Sequence, residues 1–433
     1  MKLWILAFRN MGRNLRRTLS TAVAISAGFI GLVLLSAYIY RTKMGLTTST
    51  VYINHKGHLA LFKKEGLEKF ATKPAKYLLS AEDQNKIQGI LDAHTEQIEF
   101  TGKYLSGTGL VSNGKKSIPF MGLGLEPQTY SKIMHHADLQ KWTPDWIFPE
   151  TIATSDELIK NPQLVSVTAL MGELLGKELP FSQYQGEDRS LQLAAKSYFS
   201  DLNANNVELG LRHTTGIALA EDSSLLGSLA TFQDLYATDG IQYWALFLNP
   251  GVSVTSFRET LAQEFRQAGL DLDIEAYDGE IWGAYYNGSM SFLYVMGSFF
   301  IFLICGAVLL SIVNSTTLGI IERMKEIGTL RAIGFRPKHI QSLFWRENLL
   351  VGLMSVACGQ LIAEVISGGV NWAHFQFEPP GTQGKIQFML ATNWKICLIM
   401  AVFLLILNVA TTLLVVRKIT KPQVIKLLTE SGA

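Results

Sequence analysis

Four stretches of this chain carry residue types that could do chemistry. Gly172 to Glu178, GELLGKE, resembles a phosphate-binding loop at first sight. Such a loop needs four residues between its glycines and a Ser or Thr after its lysine to hold a metal. Here Glu173, Leu174 and Leu175 fill the gap and Glu178 follows Lys177, so no ATP site is expected in the chain. His135, His136 and Asp138 could start a metal site, but no second cluster accompanies them and none is expected. Gln360 and Glu364 lie one helical turn apart inside an apolar run; an intramembrane carboxylate marks a functional site by default, although a position near the outer third also suits simple interfacial anchoring. The last stretch is GIIERMKEIGTLRAIGFRPKHI, Gly319 to Ile340. Ile320, Met324 and Ile327 recur at helical spacing, and Glu322, Arg323, Lys325 and Glu326 project elsewhere, with Glu322 and Lys325 spaced to pair. Gly334 and Pro337 fit a helix stop. A helix this polar does not enter lipid; its residues suit docking on a soluble partner and equally suit a solvated connector.

The elements that position these residues are membrane spans. The chain has 433 residues, 48% hydrophobic, with a net charge of +2, but its apolar residues are gathered in four runs. Ser20 to Tyr40, Ser291 to Val313, Leu349 to Trp372 and Trp394 to Val416 approach or exceed the ~20 residues that cross a bilayer as a helix. The charged stretch connects the second run to the third.

Charge sets the expected orientation. Lys2, Arg9, Arg13, Arg16 and Arg17 precede the first run without an acid. Arg323, Lys325, Arg331, Arg336, Lys338 and Arg346 follow the second, and Arg417, Lys418, Lys421 and Lys426 follow the fourth. Basic residues stay inside, which puts both termini and the charged stretch in the cytoplasm. The long segment between the first two runs then lies outside, with 30 acids against 21 bases over residues 41–285. Tyr38, Tyr40, Trp282, Tyr285, Tyr286, Trp372 and Trp394 fall at the outer faces, as an aromatic belt would. Cys305, Cys358 and Cys397 all lie in spans, so the exterior segment folds without disulfides. In residues 1–19, Trp4, Phe8, Met11 and Leu15 share a helical sector opposite the arginines, as expected of an in-plane surface helix and not of a cleaved signal peptide. Lipid, not nucleic acid, accounts for the basic residues.

The stretch from Val313-Asn314 through ERMKEIGTLRAIGFRPKHI resembles the membrane subunits of the MacB, FtsX and LolC/LolE (type VII) group of ABC transporters. In that group the matching segment is the coupling helix that sits on the ATPase. The resemblance gives this role to Glu322, Arg323, Met324, Glu326, Ile327, Gly328, Arg331 and Gly334; Ile327 and Met324 would form an apolar ridge and the charges would fix orientation. LAFRNMGRNLRRTLSTAVAISAGF, IPFMGLGLEP, ALMGELLGKEL, FQDLY, LFLNPG and KPQVIKLL add weaker likeness along the rest of the chain.

The expected fold is an α-helical membrane protein with four transmembrane helices and a large α+β, MacB-like extracytoplasmic domain between the first two. The expected order is a surface helix over 1–19, a first span over 20–40, the exterior domain over 41–285 and a second span with stalk over 286–318. A coupling helix over 319–340, spans over 349–372 and 393–416 around an outer loop at 373–392, and a tail over 417–433 complete an FtsX-like region from 319 to 433. Within the exterior domain helices are expected at Ala81–His94, Asp156–Leu179 and Ser253–Ala268, and strands over Gly107–Leu125, Thr215–Ala220 and Tyr243–Leu248.

The resemblance implies a non-catalytic permease subunit in the bacterial inner membrane. It implies two copies of a cytoplasmic ATPase, which binds the ATP and Mg, and a second permease subunit, identical or paralogous. Motion driven by ATP would act on the exterior domain to export a molecule or release a lipoprotein, with a periplasmic or lipoprotein partner. The alternative is an FtsX-like regulator of an exterior enzyme that transports nothing. Apart from Gln360 and Glu364 the spans lack the polar lining expected of a water-filled channel, which favours transmitted motion.

Overall fold

The computed structural model describes Trp4 and residues 15–146, 151–152, 155–378 and 385–420. Most of the surface helix expected over 1–19 and residues 421–433 of the tail expected over 417–433 therefore lie outside the described residues, while residues 15–19 and 417–420 belong to the first and last long helices. In chain order the elements used below are α1 (Leu15–Thr48), β1 (Leu59–Lys63), α2 (Ala81–Leu91), β2 (Ile98–Ser112), β3 (Ser117–Leu125) and β4 (Leu164–Val167). They continue with β5 (Ser190–Lys196), β6 (Leu202–Arg212), β7 (Ser224–Ser228), α3 (Leu229–Tyr236), β8 (Tyr243–Leu248), α4 (Val254–Gln267) and β9 (Leu272–Ala276). The chain then runs through α5 (Ala284–Glu322), α6 (Met324–Ala332), α7 (Pro337–Trp372) and α8 (Trp394–Thr420).

Four of these helices, α1, α5, α7 and α8, are long and apolar enough to cross a membrane. The 39 residues of α5 extend about 58 Å at 1.5 Å per residue, nearly twice a hydrocarbon core. The chain divides into two compact units. One holds Met1–Thr42, Ser291–Phe375 and Phe388–Ala433, and the other holds Lys43–Met290 and Gln376–Gln387.

The first unit is a helical bundle whose core gathers Ile25, Phe29 and Leu32 of α1 with Val308, Ile312 and Leu404. Small residues allow the close approach: a Cβ on Gly28 would stand 2.2 Å from Val308 Cγ2. Polar ties cross between helices. Thr21 bonds Ser315, the Ser26 hydroxyl donates to Ser355 O at 2.9 Å, and Asn408 Nδ2 donates to Asn348 O at 2.8 Å.

The second unit is built on a nine-stranded sheet in the order β3-β7-β4-β6-β5-β2-β8-β1-β9. β3 also pairs with β2, so β2, β3, β7, β4, β6 and β5 close on themselves. The pairs β3–β7 and β4–β6 are parallel and the others antiparallel. α3 packs on this curved sheet through Phe232 and Tyr236. The glycines of GTGL and GLGL follow from that contact, since a Cβ on Gly107 would stand 2.1 Å from the Tyr236 ring and one on Gly122 2.5 Å from Phe232.

The expected helix at Ala81 is present and starts with a reciprocal capping box between Ser80 and Asp83. α4 buries Phe257, Leu261 and Phe265 at four-residue spacing. Two expectations need correcting. Asp156–Leu179 is not one helix; it is a short helix at Glu157–Lys160, strand β4 and a second short helix at Ala169–Leu174. Asn161-Pro162 ends the first, because the residue before proline avoids the helical region, and LVSV then runs extended. Thr215–Ala220 is not a strand. The Glu221 carboxylate accepts from Thr215 N at 2.6 Å and from the Thr214 and Thr215 hydroxyls, which winds this segment into a loop, and the strand comes later, as β7.

Candidate coupling site

The site lies wholly within the first unit. The helix expected to carry Ile320, Met324 and Ile327 on one stripe is two helices. α5 stops at Glu322, and Arg323, with φ −102° and ψ 15°, turns the chain into α6. α6 ends three turns later in a Schellman cap: Phe335 N donates to Leu330 O at 3.0 Å and Gly334 N to Arg331 O at 3.1 Å. Gly334 has φ +100°, which glycine alone adopts without strain. Arg336 is then extended, as a residue before proline must be, and Pro337 opens α7 at its first turn. Every step of this tight helix–cap–helix connection is encoded locally.

The same cap explains the loop that imitates a phosphate site. Lys177 N donates to Gly172 O and Gly176 N to Glu173 O, each at 2.8 Å, and Gly176 has φ +69°. GELLGKE is thus a helix stop.

The structure corrects the expected docking ridge. Ile327 is only 3% exposed and packs with Ile320, Ile340, Phe344 and Val416. It faces the body of its own unit, and Gly328 beside it is buried too. Arg323 also turns inward: at 8% exposure its Nη1 and Nη2 donate to Glu347 Oε2 and Oε1 of α7 at 2.9 and 3.2 Å. Met324 and Arg331 are half-buried. The outward face presents Glu322, Lys325 and Glu326, and the tip presents Ile333, 72% exposed, Gly334, and Phe335, 42% exposed. The apolar surface open to a partner is therefore the tip Ile333–Phe335, flanked by charge. Sequence spacing could not show which side of the stripe meets the bundle. Glu347 was missed altogether; its signal is a lone acid in FWREN, at the start of an otherwise apolar run.

Gln360 and Glu364 do meet. Gln360 Nε2 donates to Glu364 Oε1 at 2.8 Å, and the Thr392 hydroxyl donates to Glu364 Oε2 at 3.2 Å. The carboxylate is held by two donors at an exposed position on α7. In the second unit, His136 caps a short helix through Nδ1, which accepts from Asp138 N at 3.2 Å, and its ring stacks on Tyr52. His135 Nδ1 lies 2.9 Å from Ser131 O. Among the described residues, no three His, Cys, Asp or Glu side chains gather as a metal ion would need.

Residues 298–424, which contain α6, α7 and α8, match the FtsX-like permease C-terminal family. The chain is 35% identical over 90 residues to the ABC transporter permease YtrF of Bacillus subtilis (strain 168). That match covers 20% of this chain and 21% of YtrF, so the chain spans about a fifth of this relative's length. Among solved structures it is similar to the periplasmic region of MacB from Actinobacillus actinomycetemcomitans. The identity is 13%, the TM-score is 0.36, and the match covers 51% of this chain and 88% of that one. It is also similar to the extracellular domain of the noncanonic ABC-type transporter YknZ from Gram-positive bacteria, at 12% identity and TM-score 0.32, over 50% of this chain and 98% of that one.

Proposed function

We propose, from the match of residues 298–424 to the FtsX-like permease C-terminal family, that the whole chain is the membrane subunit of an ABC transporter. It binds no ATP itself. A separate cytoplasmic ATPase, in two copies, holds ATP and Mg and docks on the segment from Arg323 to Arg336. The subunit works beside a second permease subunit in a bacterial inner membrane, with both termini cytoplasmic. ATP-driven motion passes through the helices to the exterior domain, where it drives export or lipoprotein release.

One observation supports this most: a Schellman-stopped helix joins two apolar helices and leaves an apolar tip exposed, Ile333 at 72% and Phe335 at 42%. Apolar anchors ringed by charge are what a groove on a soluble partner accepts. The few polar groups facing each other between spans suit transmitted motion better than a water-filled path.

The test is purification of the tagged chain from its native membrane. An ABC ATPase should co-purify, and ATP turnover should rise on reconstitution. If an exterior cell-wall enzyme co-purifies and no cargo does, the subunit is a regulator and not an exporter. If no ATPase is recovered, the proposal fails. The orientation is checked by cysteines at the exposed positions Lys115 and Lys338: an impermeant thiol reagent should label the first from outside and spare the second.

A further inference from the structure

We infer that Glu347 is a positioning residue, and that its pairing with Arg323 locks the coupling helix α6 to the third span α7 so that the two move as one body. For its consequence, though not for its geometry, the inference rests on the permease function proposed above.

Arg323 is the one residue between α5 and α6, so its backbone is where α6 would pivot. Its guanidinium reaches 24 residues along the chain to Glu347, in a two-pronged bridge of 2.9 and 3.2 Å. A fork of this kind fixes the plane of the guanidinium as well as its distance. Both ends are buried, at 8% and 4% exposure. Desolvating two charges costs about as much as their attraction returns, so such a pair adds little net stability, and an apolar pair would pack as well. The pair does add direction. The neighbouring contact of Ile327 with Ile320, Ile340, Phe344 and Val416 is apolar and tolerates sliding. The forked bridge does not, because any shift of the N-terminus of α6 along or away from α7 must either break both hydrogen bonds or carry α7 with it.

The surroundings of Glu347 are polar. A cavity of about 20 Å³ beside Glu347 is lined by Thr18, Thr21, Ser315, Thr316 and Asn348. It has room for a single water. The Thr316 hydroxyl is buried there with no hydrogen-bond partner among the described residues. α7 therefore receives any push on the tip Ile333–Phe335 at a fixed angle.

The test uses the full chain in nanodiscs, with its three native cysteines replaced by serine and spin labels at Lys325 on α6 and Leu361 on α7. Both positions are exposed. The parent should give one narrow distance distribution. Glu347→Gln, which keeps shape and loses charge, should at least double its width, and Arg323→Lys, which keeps charge and loses the fork, should broaden it as well. Phe344→Leu, a packing change beside the pair, should leave the width unchanged and serves as the control for general loosening. Adding the ATPase and nucleotide should not alter the distance in the parent and should shift it in Glu347→Gln. Unchanged widths in both Glu347→Gln and Arg323→Lys would overturn the lock. So would equal broadening by Phe344→Leu, or a nucleotide-driven change of the 325–361 distance in the parent. If no ATPase binds the parent, the permease function fails while the resting widths still judge the lock.

Discussion

Trp244, Phe232 and Phe247 of the sheet-based unit are 1%, 0% and 0% exposed, whereas Phe302, Leu310 and Val365 of the helical unit are 75%, 73% and 74% exposed. The same kind of side chain is hidden in one unit and displayed in the other. In water the first arrangement is the driving force for folding. In lipid that force vanishes, because the solvent is as apolar as the side chain, and helices are joined by small residues and polar ties instead. The helical unit has these: Gly28 against Val308, Thr21 with Ser315, and Asn408 on Asn348. The difference shows where each unit is vulnerable. The sheet unit is sensitive to lost volume and to buried charge. The helical unit is sensitive to a few polar contacts, among them the buried ion pair Arg323–Glu347.

The largest contrast should appear in acid. Burial pushes His55 and His213 down to about 3 and His58 to about 4, from 6.5. All three lie in the sheet unit, and the unfolded chain takes up their protons near pH 6.5. Below that pH the unfolded state binds more protons, so the stability they contribute is complete above 6.5 and is lost towards pH 3 to 4. The slope is about 1.4 kcal/mol per pH unit for each histidine. The helical unit's described histidines, His339 and His374, are exposed. Melting the full chain in nanodiscs from pH 7.5 to 5 should therefore lower the sheet unit's transition by several kcal/mol and spare the helical one. Equal slopes would erase the contrast.

Next comes one substitution made in both units. Phe232→Ala, against α3's curved sheet, should cost about 3–5 kcal/mol, and Phe302→Ala, on the exposed face of α5, well under that. Chemical denaturation read on each unit's own signal checks the pair. Asn408→Leu removes a buried polar tie of the helical unit and should cost about 0.6–1.7 kcal/mol, measured by unfolding in mixed micelles. The smallest effect is expected at Lys86, which pairs with Glu82 at 2.6 Å on the exposed face of α2. Lys86→Ala should change stability by no more than about 0.5 kcal/mol. A larger loss there would mean that the sheet unit's surface matters more than its core predicts.

Much of this was legible in the sequence because the signals were local. Four uninterrupted apolar runs give four long helices, and the alternating, glycine-punctuated stretch from Gly107 gives paired strands. Gly334 and Pro337 give the end of α6 and the start of α7. What was not legible depended on partners distant in sequence. The residues of Asp156–Leu179 are good helix formers on average, but Pro162 and the neighbours of β4 override them. The loop at Thr215 follows from a single carboxylate, Glu221, that reaches back along the chain. The stripe at Ile320, Met324 and Ile327 was recognisable, yet only the packing of Ile340, Phe344 and Val416 shows that it faces inward. Arg323 looked like a surface charge until α7 brought Glu347 beside it. The charged segment was visible as a segment, and the faces it buries and exposes were not.

Engagement of an ATPase through the tip of this segment, as proposed above, is tested by recovery of that ATPase with tip variants of the tagged chain. The tip residues Ile333 and Phe335 are exposed and make no contribution to the unit's core clusters. The double variant Ile333→Asp, Phe335→Asp should therefore still insert and purify as the parent does. It should retain at most a tenth of the bound ATPase, as loss of two apolar anchors at more than about 1.4 kcal/mol predicts. Recovery of the ATPase at the parent level, with undiminished ATP turnover, would contradict the account.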